Sequence, residues 1–259
     1  MSDAPFSRLA RVYDAIFHDV EYDDWADFTL EVLNDLDWIG HSLEPSEVRI
    51  LDLACGTGGS TKPYVERGFD VTGVDASQYM LEVARSKLPG VTFHQQGFLN
   101  LALHTRFHLV TCVFDSLNNL TVPHDLERAF AQVFAHLLPG AWFAFDMNTS
   151  FGVRDLWDDD RFEGEVKTPD GPAHFVWTHQ FDPITSFGHI TARCEIWTQD
   201  GLETFTEEHV ERGYDPLEVM PMLERVGFHR VRFLEYPDQA IPDVDSPRVW
   251  GFARRPLGS

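Results

Sequence analysis

Arg49-Ile50-Leu51-Asp52-Leu53-Ala54-Cys55-Gly56-Thr57-Gly58-Gly59-Ser60-Thr61 decides how this chain is read. A short apolar run stops at an acid, passes through a glycine-rich turn and enters a helix pattern. Such a run, bounded by turn residues, suits a strand buried on both faces of a parallel sheet. Gly56 and Gly58 permit positive φ and let the backbone approach a ligand closely. The stretch is therefore a nucleotide-type cofactor loop, and the open question is which cofactor it serves.

Two ligands compete for it. In a nicotinamide or flavin site, G-x-G-x-x-G/A offers a helix N-terminus to a pyrophosphate. Here Gly56-Thr57-Gly58 continues as Gly59-Ser60-Thr61, so Thr61 holds the third small position. A carboxylate at Asp52 repels a pyrophosphate but suits a ligand with an ammonium and a sulfonium, as in S-adenosylmethionine. Val71-Thr72-Gly73-Val74-Asp75 is a second apolar run that ends in an acid. Asp75 follows Gly56 by 19 residues, a spacing at which a carboxylate accepts from ribose hydroxyls in either reading.

Asp52-Leu53-Ala54-Cys55-Gly56-Thr57-Gly58 resembles the first motif of the class I S-adenosylmethionine-dependent methyltransferases. Gly73-Val74-Asp75-Ala76-Ser77, followed by Met80-Leu81, resembles their second. The likeness extends from about Tyr13 to about Arg254 and is specific over residues 51–148. The whole is most similar to a bacterial small-molecule branch with a strand-rich insert after the fifth strand. The resemblance implies an α/β fold with a doubly wound, mostly parallel seven-stranded sheet. It implies S-adenosylmethionine as cofactor and S-adenosylhomocysteine as product. Cofactor contacts are implied at Ala54, Thr57, Thr61, Ala76 and Met80, beside Asp52, Gly56, Gly58 and Asp75. The family folds an N-terminal helix over the cofactor, with a Tyr-Asp pair like Tyr13-Asp14 near the site. One departure stands out: His94-Gln95-Gln96-Gly97-Phe98 places Gly97 where relatives carry an adenine-binding acid, which shifts that contact to the Phe98 backbone N–H and ring or to a side chain from elsewhere.

Composition narrows the field. At 259 residues the chain can build one large core, or one core with a lid. No apolar run approaches the ~18 residues that span a bilayer. Met1-Ser2-Asp3-Ala4-Pro5 has neither a basic start nor an apolar centre, so no signal peptide is expected. Cys55, Cys112 and Cys194 are too scattered for a disulfide framework or a zinc site. These features point to a cytoplasmic protein, a monomer or a homodimer, with no membrane partner. Forty-two acids against 20 bases give a net charge of −22, a surface that repels phosphate backbones and argues against a nucleic-acid substrate. A small neutral or cationic acceptor fits better.

Taken in order, residues 6–39 carry apolar residues at helical spacing, interrupted by a turn at His18–Asp24. Trp25 is expected at the cofactor and Tyr22 at the substrate cavity. After the first crossover helix, with Pro63 in its first turn, Ser77 caps the second. Val91–His94 and Phe107–Phe114 read as strands three and four. Leu126–Leu138 reads as a helix ended by Pro139-Gly140, and Ala141–Asn148 as strand five. In a doubly wound sheet, ligands sit beyond the carboxyl ends of the strands at the switch point. That rule places Asp115 and Ser116 at the cofactor, Asn118 at the transferring methyl, and Asn119 and Asn148 at the substrate. Asp146 and Asn148 alone are too few for a metal site, and none is expected.

Residues 151–210 break the strand–helix rhythm. Three period-2 stretches, 174–181, 189–197 and 202–212, predict a three- or four-stranded antiparallel sheet that covers the cofactor mouth. The acidic run 155–160 before them reads as a solvated loop. Trp177 is a candidate substrate contact. The Glu-His-x-x-Arg run at Glu208–Arg212 is similar to one in the relatives, making His209 a candidate base and Arg212 a candidate partner for Glu208 or for a substrate carboxylate. The expected domains are 1–150 with 211–259, holding the cofactor, and 151–210 as the cover. The expected activity is methyl transfer to a small amine, hydroxyl or carboxyl acceptor, with Tyr13, Asn118 and His209 facing it. A cofactor-binding sensor without catalysis and a nicotinamide-dependent oxidoreductase are the alternatives.

Overall fold

In the computed structural model, which describes residues 5–156 and 160–258, the chain opens with a 3-10 turn and two helices, α1 (Tyr13–Ile16) and α2 (Tyr22–Asp35). α2 begins inside the segment expected to be a turn. Asp23 and Asp24 occupy its first turn, where acids complement the helix dipole, and Ala26, Phe28, Val32 and Leu33 form its buried face. Strand β1 (Arg49–Leu53) follows, then α3 (Thr61–Glu66), β2 (Asp70–Asp75), α4 (Gln78–Lys87), β3 (Thr92–Gln95) and β4 (Phe107–Cys112). Ser77 caps α4 as expected, its Oγ accepting from the Met80 N–H at 3.3 Å. Next come α5 (Pro123–His136) and β5 (Leu137–Asn148).

β5 differs from the sequence reading, because Pro139-Gly140 lies within the strand. The Arg255 guanidinium donates to the carbonyls of Phe134 and Leu137, closing α5 at His136. The Gly140 N–H and Arg255 O, and the Arg255 N–H and Ala141 O, then pair at 2.9 Å. The extended chain therefore starts before the proline, which needs no donor there.

Four long antiparallel strands follow: β6 (Arg161–Thr168), β7 (Gly171–Asp182), β8 (Phe187–Thr198) and β9 (Gly201–Arg212). They form the expected cover as a sheet of four, and β9 carries it to Arg212. Within the acidic run expected as a loop, residues 157–159 lie outside the described residues, as do residues 1–4 and 259. α6 (Pro216–Val226), β10 (His229–Leu234) and β11 (Arg248–Arg254) complete the chain.

The main sheet has the order β10-β11-β5-β4-β1-β2-β3, with β11 antiparallel to both neighbours and the other pairings parallel. Its central strands are buried on both faces, and the packing shows why. Leu51, Val110 and Phe143 belong to the core beneath α5 and α6, while their neighbours Ile50, Leu109 and Trp142 belong to the core with α2 and α3. Successive side chains point to opposite faces, so a doubly covered strand reads as a continuous apolar run. A third core joins Leu9, Val12 and Ile16 to Phe175, Trp177, Ile190 and Phe205 of the cover. Among the described residues, no helix is long and apolar enough to cross a membrane.

Candidate functional site

The chain leaves β1 toward β2 and β3, then crosses back to β4 on the other side, so the switch point lies between the C-terminal ends of β1 and β4. Unusual backbone geometry clusters there. Ala54 after β1, and Phe114 and Asp115 after β4, all have positive φ (59°, 63° and 49°), a region sparsely occupied by non-glycine residues. Gly56 has φ +52°, and a Cβ built on it meets nothing within 4 Å, so its outer side faces open space. Gly59 is glycine for a different reason: a Cβ there would lie 2.6 Å from the Tyr22 ring.

Two carboxylates organise this turn. Asp52 is fully buried behind it and accepts from Ser60 Oγ (2.7 Å), Thr61 Oγ1 (2.6 Å) and Thr111 Oγ1 (3.2 Å). Burial pushes its carboxyl up to about 6, although the three hydroxyls pull it down. Asp75, at the end of β2, accepts from the Gly56 N–H (2.9 Å) and the Ser77 N–H (2.7 Å), fixing the turn against the start of α4. Burial raises Asp75 as well, and backbone N–H groups oppose the rise.

A cavity of about 950 Å3 opens in front of these elements and runs beneath the cover. On the β4 side it is acidic. Asp115 pairs with Arg248 at 3.0 Å and accepts from Asn148 Nδ2 at 3.0 Å, while Arg248 also binds the fully buried Asp146. In the roof, alternation along β9 turns Glu207, His209 and Glu211 to the buried face. Glu207 accepts from the Ser7 and Leu9 N–H groups at 3.1 and 2.9 Å, tying the N-terminal segment to the cover. Asp14 ties the same segment to the turn through Thr57 Oγ1 (2.5 Å) and Lys87 Nζ (2.6 Å). His209 lies between Phe6 and Trp177, and burial lowers it to about 4, so it is neutral near pH 7. Glu211 is 5% exposed, and its Oε2 has no hydrogen-bond partner. Burial and the nearby Asp115 hold its carboxyl well above the usual range.

The cavity gathers many of the residues expected at a site. Tyr13, Ala54, Gly56, Asp75, Ala76, Met80, Gly97, Phe98, Asp115, Ser116, Asn119, Asn148, Trp177 and His209 line it. Others stand behind the wall. Gly58 and Thr61 shape the turn from below, beside Asp52, and Thr57 is held by Asp14. Tyr22 and Trp25 pack against Phe114, which takes the position at the cavity expected of them. Asn118 does not face the cavity. Its amide donates to Asn148 O (2.8 Å) and Arg212 O (2.7 Å) and accepts from the Asn148 N–H (3.0 Å), bolting β5 to the end of β9. Arg212 turns away to Glu218 at 2.9 Å and lies over the Tyr214 ring. Arg248 and Glu211 were missed in the sequence. Glu211 could have been found from its two-residue spacing to His209. Arg248 sits in no motif and reaches the site only because β11 lies beside β5.

These residues fit S-adenosylmethionine. Asp75 offers a carboxylate to a ribose diol, and Met80, Phe98 and Ala76 provide apolar walls for a flat base. The open side of Gly56 leaves room for the methionine end, in a cavity rich in carboxylates that suit a cationic ligand.

The comparisons with known proteins agree. The Methyltransferase domain family matches residues 50–140. YqeM of Bacillus subtilis (strain 168), which carries the name of a methyltransferase, is 30% identical over 96% of this chain and 97% of its own length. The dTDP-4-amino-2,3,4,6-tetradeoxy-D-glucose N,N-dimethyltransferase of Saccharopolyspora spinosa is 30% identical over 84% of each chain. In fold, the chain matches an S-adenosylmethionine-dependent methyltransferase from Clostridium acetobutylicum, with TM-score 0.79 at 24% identity over 96% of this chain and 98% of that one. Streptomyces venezuelae DesVI matches with TM-score 0.72 at 23% identity, over 95% and 98%. The chain belongs to the class I S-adenosylmethionine-dependent methyltransferases and is an enzyme of that family.

Proposed function

We propose that this enzyme methylates the nitrogen of a small-molecule amine. The acceptor is a small molecule, and the observation that favours an amine is the acidic half of the cavity, where Asp115 and Glu211 face the space with Arg248 as their nearby cation. The carboxyl oxygens there accept from N–H donors, so an amine is favoured over a carboxylate acceptor. Three further relatives support the choice through their names, which describe N,N-dimethyltransferases of dTDP-linked amino sugars or a glycine/sarcosine N-methyltransferase.

When bound, S-adenosylmethionine supplies an already activated methyl group, so the protein has to position the nucleophile, exclude water and manage one proton. In this reading Asp75 holds the ribose, and the turn 54–58 holds the methionine end, with Asp52 and Thr61 bracing it from behind. Phe98 and the backbone around Gly97 take the adenine in place of the missing acid. Tyr13 closes over the site from the N-terminal segment, Ser116, Asn119 and Asn148 line the acceptor side, and Trp177 and His209 form the apolar roof. His209, neutral and stacked, presents a flat ring rather than a charge.

The test is a screen of amines against matched alcohols and acids, with transfer of labelled methyl as the readout. Transfer to amines alone is expected. Transfer only to hydroxyls or carboxyls would refute the amine assignment, and cofactor binding with no transfer to any acceptor would support a sensor. The enzyme is proposed to work in the cytoplasm as a monomer or a homodimer, which light scattering of the purified protein distinguishes.

A further inference from the structure

Asp115, Asp146 and Glu211 come together from the loop after β4, from β5 and from β9, and Arg248 on β11 is the cation among them. Arg248 is paired with the two aspartates and attracts Glu211 through its charge without hydrogen-bonding its Oε2. Glu211, 5% exposed, is left with an oxygen that has no hydrogen-bond partner, in the wall of the cavity. A buried, unpaired carboxyl oxygen is costly and calls for a partner from outside the fold. The other groups facing it do not supply one. Asn148 donates to Asp115 and is also a hydrogen-bond partner of the Glu211 carboxyl, yet Oε2 stays unpaired, and His209 on the same strand face is stacked between Phe6 and Trp177. Tyr13 faces the cluster from the N-terminal segment and keeps its proton.

We propose that Glu211 is the catalytic proton acceptor of this enzyme and that, with Asp115, it forms the subsite for the ammonium group of the acceptor. The inference rests on the amine reading above. An amine that arrives as an ammonium has no lone pair for attack. The N–H bond breaks, its electron pair remains on nitrogen and the proton forms an O–H bond at Glu211 Oε2. The freed nitrogen lone pair could then take the methyl group that bound S-adenosylmethionine would supply, its carbon–sulfur bond breaking with the electron pair left on sulfur, and the proton leaves Glu211 for water after turnover. Burial and the negative charge of Asp115 raise Glu211, so its ionised form, reached when the carboxyl gives its own proton to water before the amine is bound, is a stronger base than an ordinary carboxylate and closer to the amine it must deprotonate.

The test compares wild type with Glu211→Gln and Glu211→Asp. In the unliganded wild type, carbon-13 NMR of glutamate carboxyls is expected to show one group that titrates well above the ordinary range, missing from both variants. With the amine that wild type methylates best, Glu211→Gln is expected to lose about 10²-fold in kcat near pH 7. It should recover as pH rises through the pKa of the amine itself, while Glu211→Asp keeps part of the rate. S-adenosylmethionine affinity, read by calorimetry, should be unchanged in both. Unaltered pH profiles in both variants, or no high-titrating glutamate in wild type, would overturn the assignment to Glu211 while leaving the amine reading in place. A wild type that methylates hydroxyls and no amine overturns both. If Glu211→Gln fails to fold, the wild-type titration and Glu211→Asp decide the matter.

Discussion

Replacing Asp52 by Asn probes the buried polar knot beneath the cofactor turn. The carboxyl is fully buried, receives three hydroxyl hydrogen bonds and stands at about 6 against an ordinary 3.8. A carboxyl raised in the folded state holds its proton there after the unfolded chain has lost it. Its contribution to stability therefore falls as pH rises from 3.8 to about 6, and the cost is present in full above that. A rise of about two units amounts to ~3 kcal/mol in all, of which roughly 2 kcal/mol develops between about pH 4.5 and 7.5. Asp52→Asn has no titrating group at this position. Its stability relative to wild type should thus improve by roughly 2 kcal/mol across that interval, on top of any constant offset from refitting the amide among the hydroxyls. Guanidinium unfolding of both proteins at the two pH values, without cofactor, measures this. Titrating groups that do not interact with Asp52 are common to both chains and cancel; Asp75, which does interact with it, adds a smaller term. A difference flat to within ~0.5 kcal/mol would refute the reasoning. So would a relative stability that declines as pH rises, because the hydroxyls would then hold the carboxylate below its unfolded value.

Three further outcomes follow from the same geometry. Asp75→Ala removes the acceptor for two backbone N–H groups and the proposed ribose contact; S-adenosylmethionine affinity should fall roughly 10- to 100-fold with a cooperative fold retained, as charge-assisted hydrogen bonds are worth about 1.5–3 kcal/mol. Calorimetry and thermal melting check both halves. Asn118→Ala strands the buried polar groups at the β5–β9 junction and should cost about 3 kcal/mol in urea unfolding; a loss below ~0.5 kcal/mol would show that the bolt is idle. His209, depressed to about 4, contributes stability that is complete above its unfolded value near 6.5 and is lost as pH falls toward 4. His209→Phe should therefore flatten the loss of stability between pH 6.5 and 4, and an unchanged acid limb would contradict the burial argument.

Much of this architecture was legible because local chemistry and tertiary role coincide. Asp52 and Asp75 end strands whose apolar runs announce double burial, and Ser77 both caps α4 and follows the acid. The cover strands show period-2 alternation because one face packs on a core and the other does not. What the sequence hid was direction. Asn118 and Arg212 lie in the stretches where site residues were sought, yet their side chains turn into the framework, and nothing in a linear pattern distinguishes a bolt from a contact. Trp25 and Tyr22 were displaced by Phe114, which reaches the cavity through a left-handed backbone that its residue type does not advertise. Arg248 joins Asp115 from 133 residues away, a juxtaposition that exists only once β11 inserts beside β5.

The cofactor assignment is tested most directly by isothermal titration of the purified enzyme with S-adenosylmethionine, S-adenosylhomocysteine and NAD. Saturable binding of the first two at one site per chain, and none of NAD, is expected. Binding of NAD with no response to S-adenosylmethionine would contradict it, since Asp75 and the glycine turn would then serve a dinucleotide and the acidic cavity would need another explanation.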